Sequence, residues 1–281
     1  MTRLLVVNAD DYGRSRGVSA GIRAAHRKGL VSTTTVLINL PGAVNDLKEA
    51  LQQAPRLGLG LHLNLTAGSP ILPPERIPSL VDAAGLFYPA PLAMARLAAL
   101  DPHEIEAEWQ AQLEAFLATG AALDHLDSHH HIAAASPALW EACLRLAQTH
   151  GCGVRPPLSS GWRPNSLLED FPPIARRFAL TQAIDGLRRL HIPSPDSFST
   201  DFYAESATTA TLERILRSLP EGWTEIMCHP GVADAELLAT SGYAREREAE
   251  LAALTDRGIV HLATELGIRR CTYAEGIQAT S

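Results

Sequence analysis

Two adjacent carboxylates, Asp10 and Asp11, stand where an apolar run ends. The run Leu4–Ala9 is typical of a short buried strand, and the Tyr12-Gly13 pair after the acids is typical of a loop. In parallel α/β folds, ligands bind and chemistry occurs at the carboxyl ends of strands. One acid could hold a cation while its neighbour takes a proton, because successive side chains leave a strand in different directions. The alternative interpretation is a helix cap or an Asx-turn.

Two further strand-like runs end in histidine. His62 lies near the end of the apolar segment 57–65, and the segment 123–131 ends in three consecutive histidines. Imidazole and carboxylate groups together suit a divalent cation, and three protein ligands leave coordination positions for water and substrate. One acid and two histidines from three strand ends would therefore form a catalytic metal site. Taken alone, His62 is more typical of a hydrogen-bonded core residue.

The period-2 geometry of a strand sharpens the interpretation of the histidine-rich segment. If the strand continued to residue 131, one face would carry three histidines and a carboxylate, namely His125, Asp127, His129 and His131. Metal-bound imidazole usually donates its other N–H to an acid or a carbonyl, and Asp127 is a candidate acceptor. The sequence does not choose between His129 and His131 as the third ligand.

A fourth candidate, His229, lies far downstream. The strand-like segment 223–228 runs into His229-Pro230-Gly231, and proline and glycine stop a strand at once. An imidazole at this strand end could serve as a general acid, because its unperturbed pKa of about 6.5 allows either protonation state near neutrality. The alternative is a histidine with only a structural role in the turn.

In this order, the four segments resemble the YdjC-like carbohydrate deacetylase family, which includes chitooligosaccharide deacetylases and a branch linked to hopanoid biosynthesis. The matching motifs extend from about residue 4 to residue 232 and comprise Asn8 to Gly13, Gly60 to His62 with Leu65-Thr66, His125 to His131, and Met227 to Gly231. The resemblance implies that Asp11, His62 and His129 hold a metal. It further implies that Asp10 is the catalytic base and that His229 is the acid. The implied metal is Mg²⁺, although two imidazoles would suit Zn²⁺, Co²⁺ or Ni²⁺ better.

The implied activity is that of a metal-dependent hydrolase that removes acetyl groups from N-acetylated amino sugars of an oligosaccharide or glycoconjugate. One departure from the family concerns the sugar. Members that act on chitooligosaccharides often carry a histidine two positions beyond the triple run, where this chain has Ala133. The departure leaves the metal residues intact and the identity of the sugar open.

Strand-like and helix-like stretches alternate along the chain, as they do in βα units. Seven or eight such units predict one α/β domain over residues 1–281, folded as a distorted (β/α) barrel of seven or eight parallel strands. The most distinct patterns predict helices over 17–28 and 137–150 and strands over 198–203 and 222–228.

Two long, proline-rich connections, 67–102 and 156–195, interrupt this alternation. Both follow strands, so a barrel would place both on its catalytic face, and loops of this length in a compact domain are usually functional. We predict that they form walls of the substrate site. The alternative is that they are surface loops without a functional role. Arg155, just before the second connection, could contact an anionic or sugar group or pair structurally with an acid.

The composition is typical of a water-soluble enzyme. The 281 residues are 46% apolar, and 24 Lys and Arg against 31 Asp and Glu give a formal charge of −7. The sequence indicates neither a basic surface typical of nucleic-acid binding nor a signal peptide. No apolar stretch reaches the roughly 18 residues of a membrane span. Four scattered cysteines without a C-x-x-C pattern are typical of free thiols in a reducing cytoplasm. The sequence does not determine the oligomeric state, and a homo-oligomer is among the states that it allows.

Other interpretations compete with the deacetylase. The segment 17–21 matches the G-x-S-x-G pattern of serine hydrolases, but a nucleophile elbow needs a strand directly before it, and Ser19 is predicted inside a helix. Two histidines and one carboxylate also form the facial triad of non-haem iron oxygenases, which would not need the second acid, Asp10. A non-catalytic sugar-binding protein would tolerate loss of Asp10 with binding intact.

Overall fold

Parallel strands form the centre of the molecule in the computed structural model, in which residues 2–157 and 171–280 are described. The strands of these residues are β1 (Arg3–Tyr12), β2 (Thr33–Val36), β3 (Gly58–Leu63), β4 (His125–Ser128), β5 (Gly153–Val154), β6 (Ser197–Ser199), β7 (Gly222–Cys228) and β8 (Arg269–Arg270). Seven of them lie in the order β5-β4-β3-β2-β1-β7-β6, and β8 pairs with the beginning of β1. Every strand pair is parallel.

Helices flank the curled sheet. The α-helices of the described residues are α1 (Arg16–Lys28), α2 (Ala43–Gln53), α3 (Ala90–Ala95), α4 (Pro102–Leu117), α5 (Pro137–His150), α6 (Pro173–Thr181), α7 (Ala183–Arg189), α8 (Thr209–Arg217), α9 (Ala235–Thr240), α10 (Glu246–Leu254), α11 (Arg257–Glu265) and α12 (Tyr273–Thr280). The N–H of Val154 in β5 donates to the carbonyl of Pro193, shortly before β6, at 2.9 Å, which ties the two sheet edges together. The predicted fold class, an α/β domain built as a distorted (β/α) barrel, is confirmed.

The two faces of β1 explain how the sheet leads to a site. Leu5 and Val7 belong to the main apolar core, whereas Leu4 and Val6 pack in a smaller core with Trp223. In the period-2 pattern of a strand, the second face continues from Leu4 and Val6 to Asn8 and Asp10. This face therefore changes from apolar to polar toward the carboxyl end of β1.

The histidine-rich segment departs from the predicted extended strand. β4 ends at Ser128, and residues 129–135 form 3₁₀ turns in which His130 and His131 have left-handed φ values of 52° and 53°. The Ser128 hydroxyl accepts the N–H of Ala133 at 3.0 Å and so closes the turn. The predicted alternation of side chains was therefore wrong beyond Ser128, and His131 does not share a strand face with His125.

The two long connections have different structures. The first, 67–102, contains α3, and Glu108 accepts the N–H groups of Ile71 and Leu72 at 2.9 Å each. Of the second, residues 158–170 lie outside the described part of the chain. Its remainder includes α6 and α7, and the indole N–H of Trp140 donates to the carbonyl of Ala183 at 2.8 Å. The described part of the second connection is thus mainly helical rather than a loop.

Ser19 lies inside α1, as predicted, and the helix begins directly after its N-cap residue Ser15. The Ser19 hydroxyl is buried and donates to Asp46 at 2.6 Å, so it has a structural partner rather than an exposed position at a strand end. This position is incompatible with a nucleophile elbow.

All four cysteines are buried and free: Cys143, Cys152, Cys228 and Cys271. Burial raises the pKa of Cys152 and of Cys271 to about 12, so both thiols are protonated near neutral pH. Within the described residues, no helix combines the length and apolar character that crossing a membrane requires. The cytoplasmic location expected from the sequence stays a prediction.

Candidate active site

A cavity of about 410 Å³ opens at the carboxyl ends of β1, β3, β4 and β7. Its lining contains both adjacent acids and five of the candidate histidines: Asp10, Asp11, His62, His129, His130, His131 and His229. The first proline-rich connection adds Ala67 and residues 89–91 to the wall. No described residue of the second connection lines this cavity, and the prediction for its residues 158–170 lies outside the described part of the chain.

An irregularity in β1 brings both acids to the cavity. The pairing register with β2 shifts between Ala9 and Tyr12, and Asp11 has a left-handed φ of 70°. In a regular strand, Asp11 would face away from Asp10. A left-handed conformation costs most residues with a Cβ atom about 1–2 kcal/mol and costs Asp less, and non-glycine residues held in this conformation cluster at functional sites.

Asp11, His62 and His129 are close enough to share a cation. Asp11 Oδ1 lies 3.5 Å from His62 Nε2 and 3.1 Å from His129 Nδ1. Ligand atoms about 2.1 Å from a common ion are separated by roughly 3.0–3.4 Å in octahedral or tetrahedral coordination. Asp11 Oδ1 is buried and makes no hydrogen bond within the described residues, which is costly for a carboxylate oxygen. This oxygen and the two ring nitrogens therefore fit one divalent cation.

A second group of potential ligands, Asp10, His62 and Asp127, fits a cation less well. Arg155 donates two hydrogen bonds to Asp10, at 2.6 and 2.7 Å, and forms a 2.9 Å ion pair with Asp127. A guanidinium already compensates both carboxylates, and Asp127 also accepts from the hydroxyl of Thr35 at 3.0 Å. The first group is therefore the candidate metal site.

Asp127 lies behind His62. Its Oδ1 is 2.5 Å from His62 Nδ1, which leaves Nε2 directed at Asp11. Burial disfavours the charged imidazole, but Asp127 and Asp11 outweigh it and raise the pKa of His62 to about 10. A cation that binds Nε2 must displace a proton, so its affinity is expected to rise with pH.

Of the two histidines between which the sequence did not choose, His129 belongs to the Asp11–His62 cluster and His131 does not. The ring of His131 lies 6.1 Å from that of Phe198, and burial together with the charge of Arg155 lowers its pKa to about 3. His131 is therefore neutral near pH 7 and faces the cavity outside the candidate ligand set.

Arg155 is 4% exposed and lies behind the acids. Besides Asp10 and Asp127, it pairs with Glu225 of β7 at 2.8 Å, and it does not line the main cavity. The sequence allowed Arg155 either to contact a substrate group or to pair structurally with an acid, and the geometry fits structural pairing. Although burial favours the neutral acid, Arg155 holds the pKa of Asp10 well below its usual range, so Asp10 is ionised near neutral pH.

His229 follows β7 and lies beside Asp10 in the cavity lining. Its Nε2 is 3.9 Å from Asp10 Oδ2, and its backbone N–H donates to the carboxylate of Glu250. Its Nδ1 is buried without a hydrogen-bond partner among the described residues. Burial lowers the pKa of His229 to about 4, so the imidazole is neutral at rest near pH 7, unlike the unperturbed group considered from the sequence.

Comparison with known proteins assigns the family. The sequence matches the YdjC-like protein family over residues 4–265. The chain belongs to the YdjC-like family. Two similar relatives are carbohydrate deacetylases, one from Brevibacillus brevis that is 35% identical and one from Geobacillus stearothermophilus that is 33% identical. The matches cover 96% and 98% of this chain, respectively, and 98% of each relative.

One solved structure is similar to this chain in both sequence and fold, and a second is similar in fold alone. A crystal structure from Enterococcus faecalis V583, of a protein named for cellobiose-phosphate cleavage, has a TM-score of 0.84 and 31% identity. The match covers 98% of this chain and 99% of that protein. The Xyl-CE4 domain of a multidomain xylanase from the Trinervitermes trinervoides hindgut metagenome shares the fold alone, with a TM-score of 0.53, 10% identity, and coverage of 100% and 92%.

Two buried charged residues of α10 complete the site of this YdjC-like protein, and the sequence did not single them out. Arg247 donates to Asp11 Oδ2 at 2.5 Å, and Glu250 accepts the hydroxyl of Tyr243 at 2.5 Å. Their segment, 245–250, alternates basic and acidic residues and is typical of a solvated helix face. The signal available in the sequence was their spacing of three with Ala253, which places the three residues on one stripe of the helix.

Proposed function

We propose that this YdjC-like protein is a metal-dependent carbohydrate deacetylase that hydrolyses the N-acetyl group of an amino sugar in an oligosaccharide or glycoconjugate. The observation that carries the proposal is the buried, unpaired Oδ1 of Asp11 between the ring nitrogens of His62 and His129, with the ionised Asp10 beside it. The carbohydrate deacetylases among the relatives support the choice of reaction and of substrate class.

Asp11, His62 and His129 would hold the cation, which when bound polarises an amide carbonyl and lowers the pKa of a water molecule. Mg²⁺ is the ion that the family resemblance implies, and a donor set of one carboxylate and two imidazoles also accommodates Zn²⁺, Co²⁺ or Ni²⁺. The cavity that these residues line, with Ala67 and residues 89–91 of the first proline-rich connection in its wall, would receive the acetamido group.

Asp10 is the proposed general base. It is ionised at neutral pH, and two hydrogen bonds from Arg155 fix the plane of its carboxylate. Water attacks the acetyl carbon while Asp10 removes one of the water protons. The C–N bond then breaks only if the sugar nitrogen receives a proton, since an unprotonated amine is a poor leaving group.

His229 is the proposed donor to that nitrogen. Because its resting imidazole is neutral, His229 must first receive a proton, and Asp10 Oδ2 lies 3.9 Å from its Nε2. Because 3.9 Å is beyond direct hydrogen-bond distance, the proposed route for the proton taken from water runs from Asp10 through one bridging water to His229 and from there to the amine. Its low pKa makes the His229 imidazolium a strong donor. Acetate and a free amino sugar result.

The direct test is acetate release from a panel of N-acetylated oligosaccharides and glycolipid headgroups. We expect release by the purified protein, loss after chelation and dialysis, and recovery when a single divalent cation is added back. Unchanged release by the chelated protein would contradict metal dependence. Turnover that requires iron and oxygen would favour the oxygenase alternative.

A further inference from the structure

We propose that Tyr203 is a platform on which a sugar ring of the substrate stacks. The inference rests on the proposed function in that the ligand is a carbohydrate. Tyr203 is 36% exposed, although most large apolar and aromatic side chains of the described residues are buried, and it lines the cavity that contains Asp10 and His229. An exposed aromatic ring inside a polar cavity is a common feature of ligand sites.

The ring of Tyr203 is held in a fixed orientation. It stacks on the ring of Tyr243 with centroids 4.6 Å apart and planes 7° apart. His229 lies beside the stacked pair, nearly perpendicular to both rings, with its centroid 5.5 Å from that of Tyr203 and 5.8 Å from that of Tyr243. Because Tyr243 covers one face of Tyr203, a sugar ring would stack on the opposite face.

Tyr243 is itself anchored from two directions. Its hydroxyl donates to Glu250 at 2.5 Å and accepts the N–H of Ala204 at 2.9 Å. Ala204 has a left-handed φ of 52°, an unfavourable conformation for alanine that redirects the chain immediately after Tyr203. Strain of this kind persists only where the surroundings impose it, and it clusters at ligand sites.

The chemistry of the platform suits a pyranose. The face of an aromatic ring is electron-rich and attracts the polarised C–H bonds on the apolar face of a sugar. Polar groups at other parts of the cavity wall, among them Thr66 and Arg14, can bind hydroxyl groups.

The position of the platform indicates which sugar ring it takes. His229, the proposed donor to the departing nitrogen, lies beside Tyr203. The nitrogen is attached directly to the sugar ring that bears the acetyl group. We therefore assign Tyr203 to the acetamido-bearing ring itself rather than to a more distant ring of the substrate.

The test is calorimetric binding of N,N′-diacetylchitobiose to the metal-loaded protein, in an Asp10→Asn background that blocks turnover. Tyr203→Ala should weaken binding about tenfold, since aromatic stacking contributes about 0.5–1.5 kcal/mol and 1.4 kcal/mol is tenfold in affinity. Tyr203→Phe, which keeps the ring, should bind within about twofold of the parent. Leu117→Ala at the end of α4, a side chain equally exposed at 36% and absent from the cavity lining, is the matched control and should also leave binding unchanged. Thermal unfolding of each variant verifies that it is folded.

Unchanged binding by folded Tyr203→Ala protein would overturn the platform, as would a parent that does not bind the disaccharide. Acetate release by the wild type is measured separately. Acetate release together with unaltered binding by Tyr203→Ala would reject the platform alone. Weakened binding by Tyr203→Ala without any acetate release by the wild type would reject the proposed reaction alone.

Discussion

At the scale of residues, unpaired polar atoms mark the chemistry of this protein. Asp11 Oδ1, His229 Nδ1 and Arg247 Nη1 are buried without a hydrogen-bond partner among the described residues, and all three residues line one cavity. Six other buried polar atoms of the described residues also lack a partner, so what distinguishes these three is that their residues line the same cavity, where a bound ion, a water molecule or a substrate could pair with them. In the proposed mechanism, Asp11 is a cation ligand and His229 a proton carrier, while Arg247 offers a cationic hydrogen-bond donor.

Substitution of His229 separates proton donation from the other steps. His229→Ala should reduce turnover of an N-acetyl sugar by about 10²–10⁴-fold, the usual contribution of a positioned acid or base. The same variant should lose much less activity on an activated acetate ester such as 4-nitrophenyl acetate, because its leaving group departs without a proton. Steady-state rates on both substrates measure the difference. Equal losses on the two substrates would instead indicate that His229 is a ligand, an oxyanion donor or a structural residue.

At the scale of elements, the bounds of helices and strands were predicted most accurately where several local sequence signals agree. The helix predicted over 137–150 has those bounds in the structure, because Ser136 caps its first turn, Pro137 suits its first position and Gly151 ends it with a left-handed φ of 65°. The strand predicted over 198–203 ends early, at Ser199, since a 3₁₀ turn over 204–206 redirects the chain. The irregularity of β1 at Asp11 has no sequence signal, because it depends on pairing with β2.

Helix α10 makes stability depend on pH through Glu250. Burial raises the pKa of this carboxyl from 4.5 to about 7. The folded protein thus binds a proton more tightly than the unfolded chain does, so the stabilising contribution is complete below about pH 4.5 and is lost as pH rises to about 7. The free energy of unfolding of the wild type, relative to that of Glu250→Gln, should fall by up to about 3 kcal/mol across this window.

Urea unfolding of both proteins at pH 4.5, 5.5, 6.5 and 7.5 measures this difference. The Glu250→Gln variant does not titrate at this position, so pH effects from other groups cancel in the comparison. A difference that stays constant, or that grows with pH, would show that Glu250 is ionised in the folded protein throughout.

At the scale of the whole molecule, the site exists only because distant segments meet. Asp11 and Arg247 are separated by 236 positions in the chain and touch at 2.5 Å, and Asp10 and Arg155 are separated by 145. The strand-end rule of α/β folds predicted the acids and histidines, since it needs only the local pattern of each strand. It could not predict Arg247 or Glu250, because which face of α10 meets the cavity is decided by packing against the barrel.

The central claim is that the two adjacent acids have different roles, and metal content measured together with turnover tests it most directly. Metal per chain, determined by elemental analysis after loading and desalting, should be one in the wild type and in Asp10→Asn, with turnover of Asp10→Asn about 10²–10⁴-fold lower. Asp11→Asn should lose both the metal and the activity, because the unpaired oxygen between His62 and His129 is then part of an amide group. Stoichiometric metal in Asp11→Asn, or its loss in Asp10→Asn, would contradict the assignment.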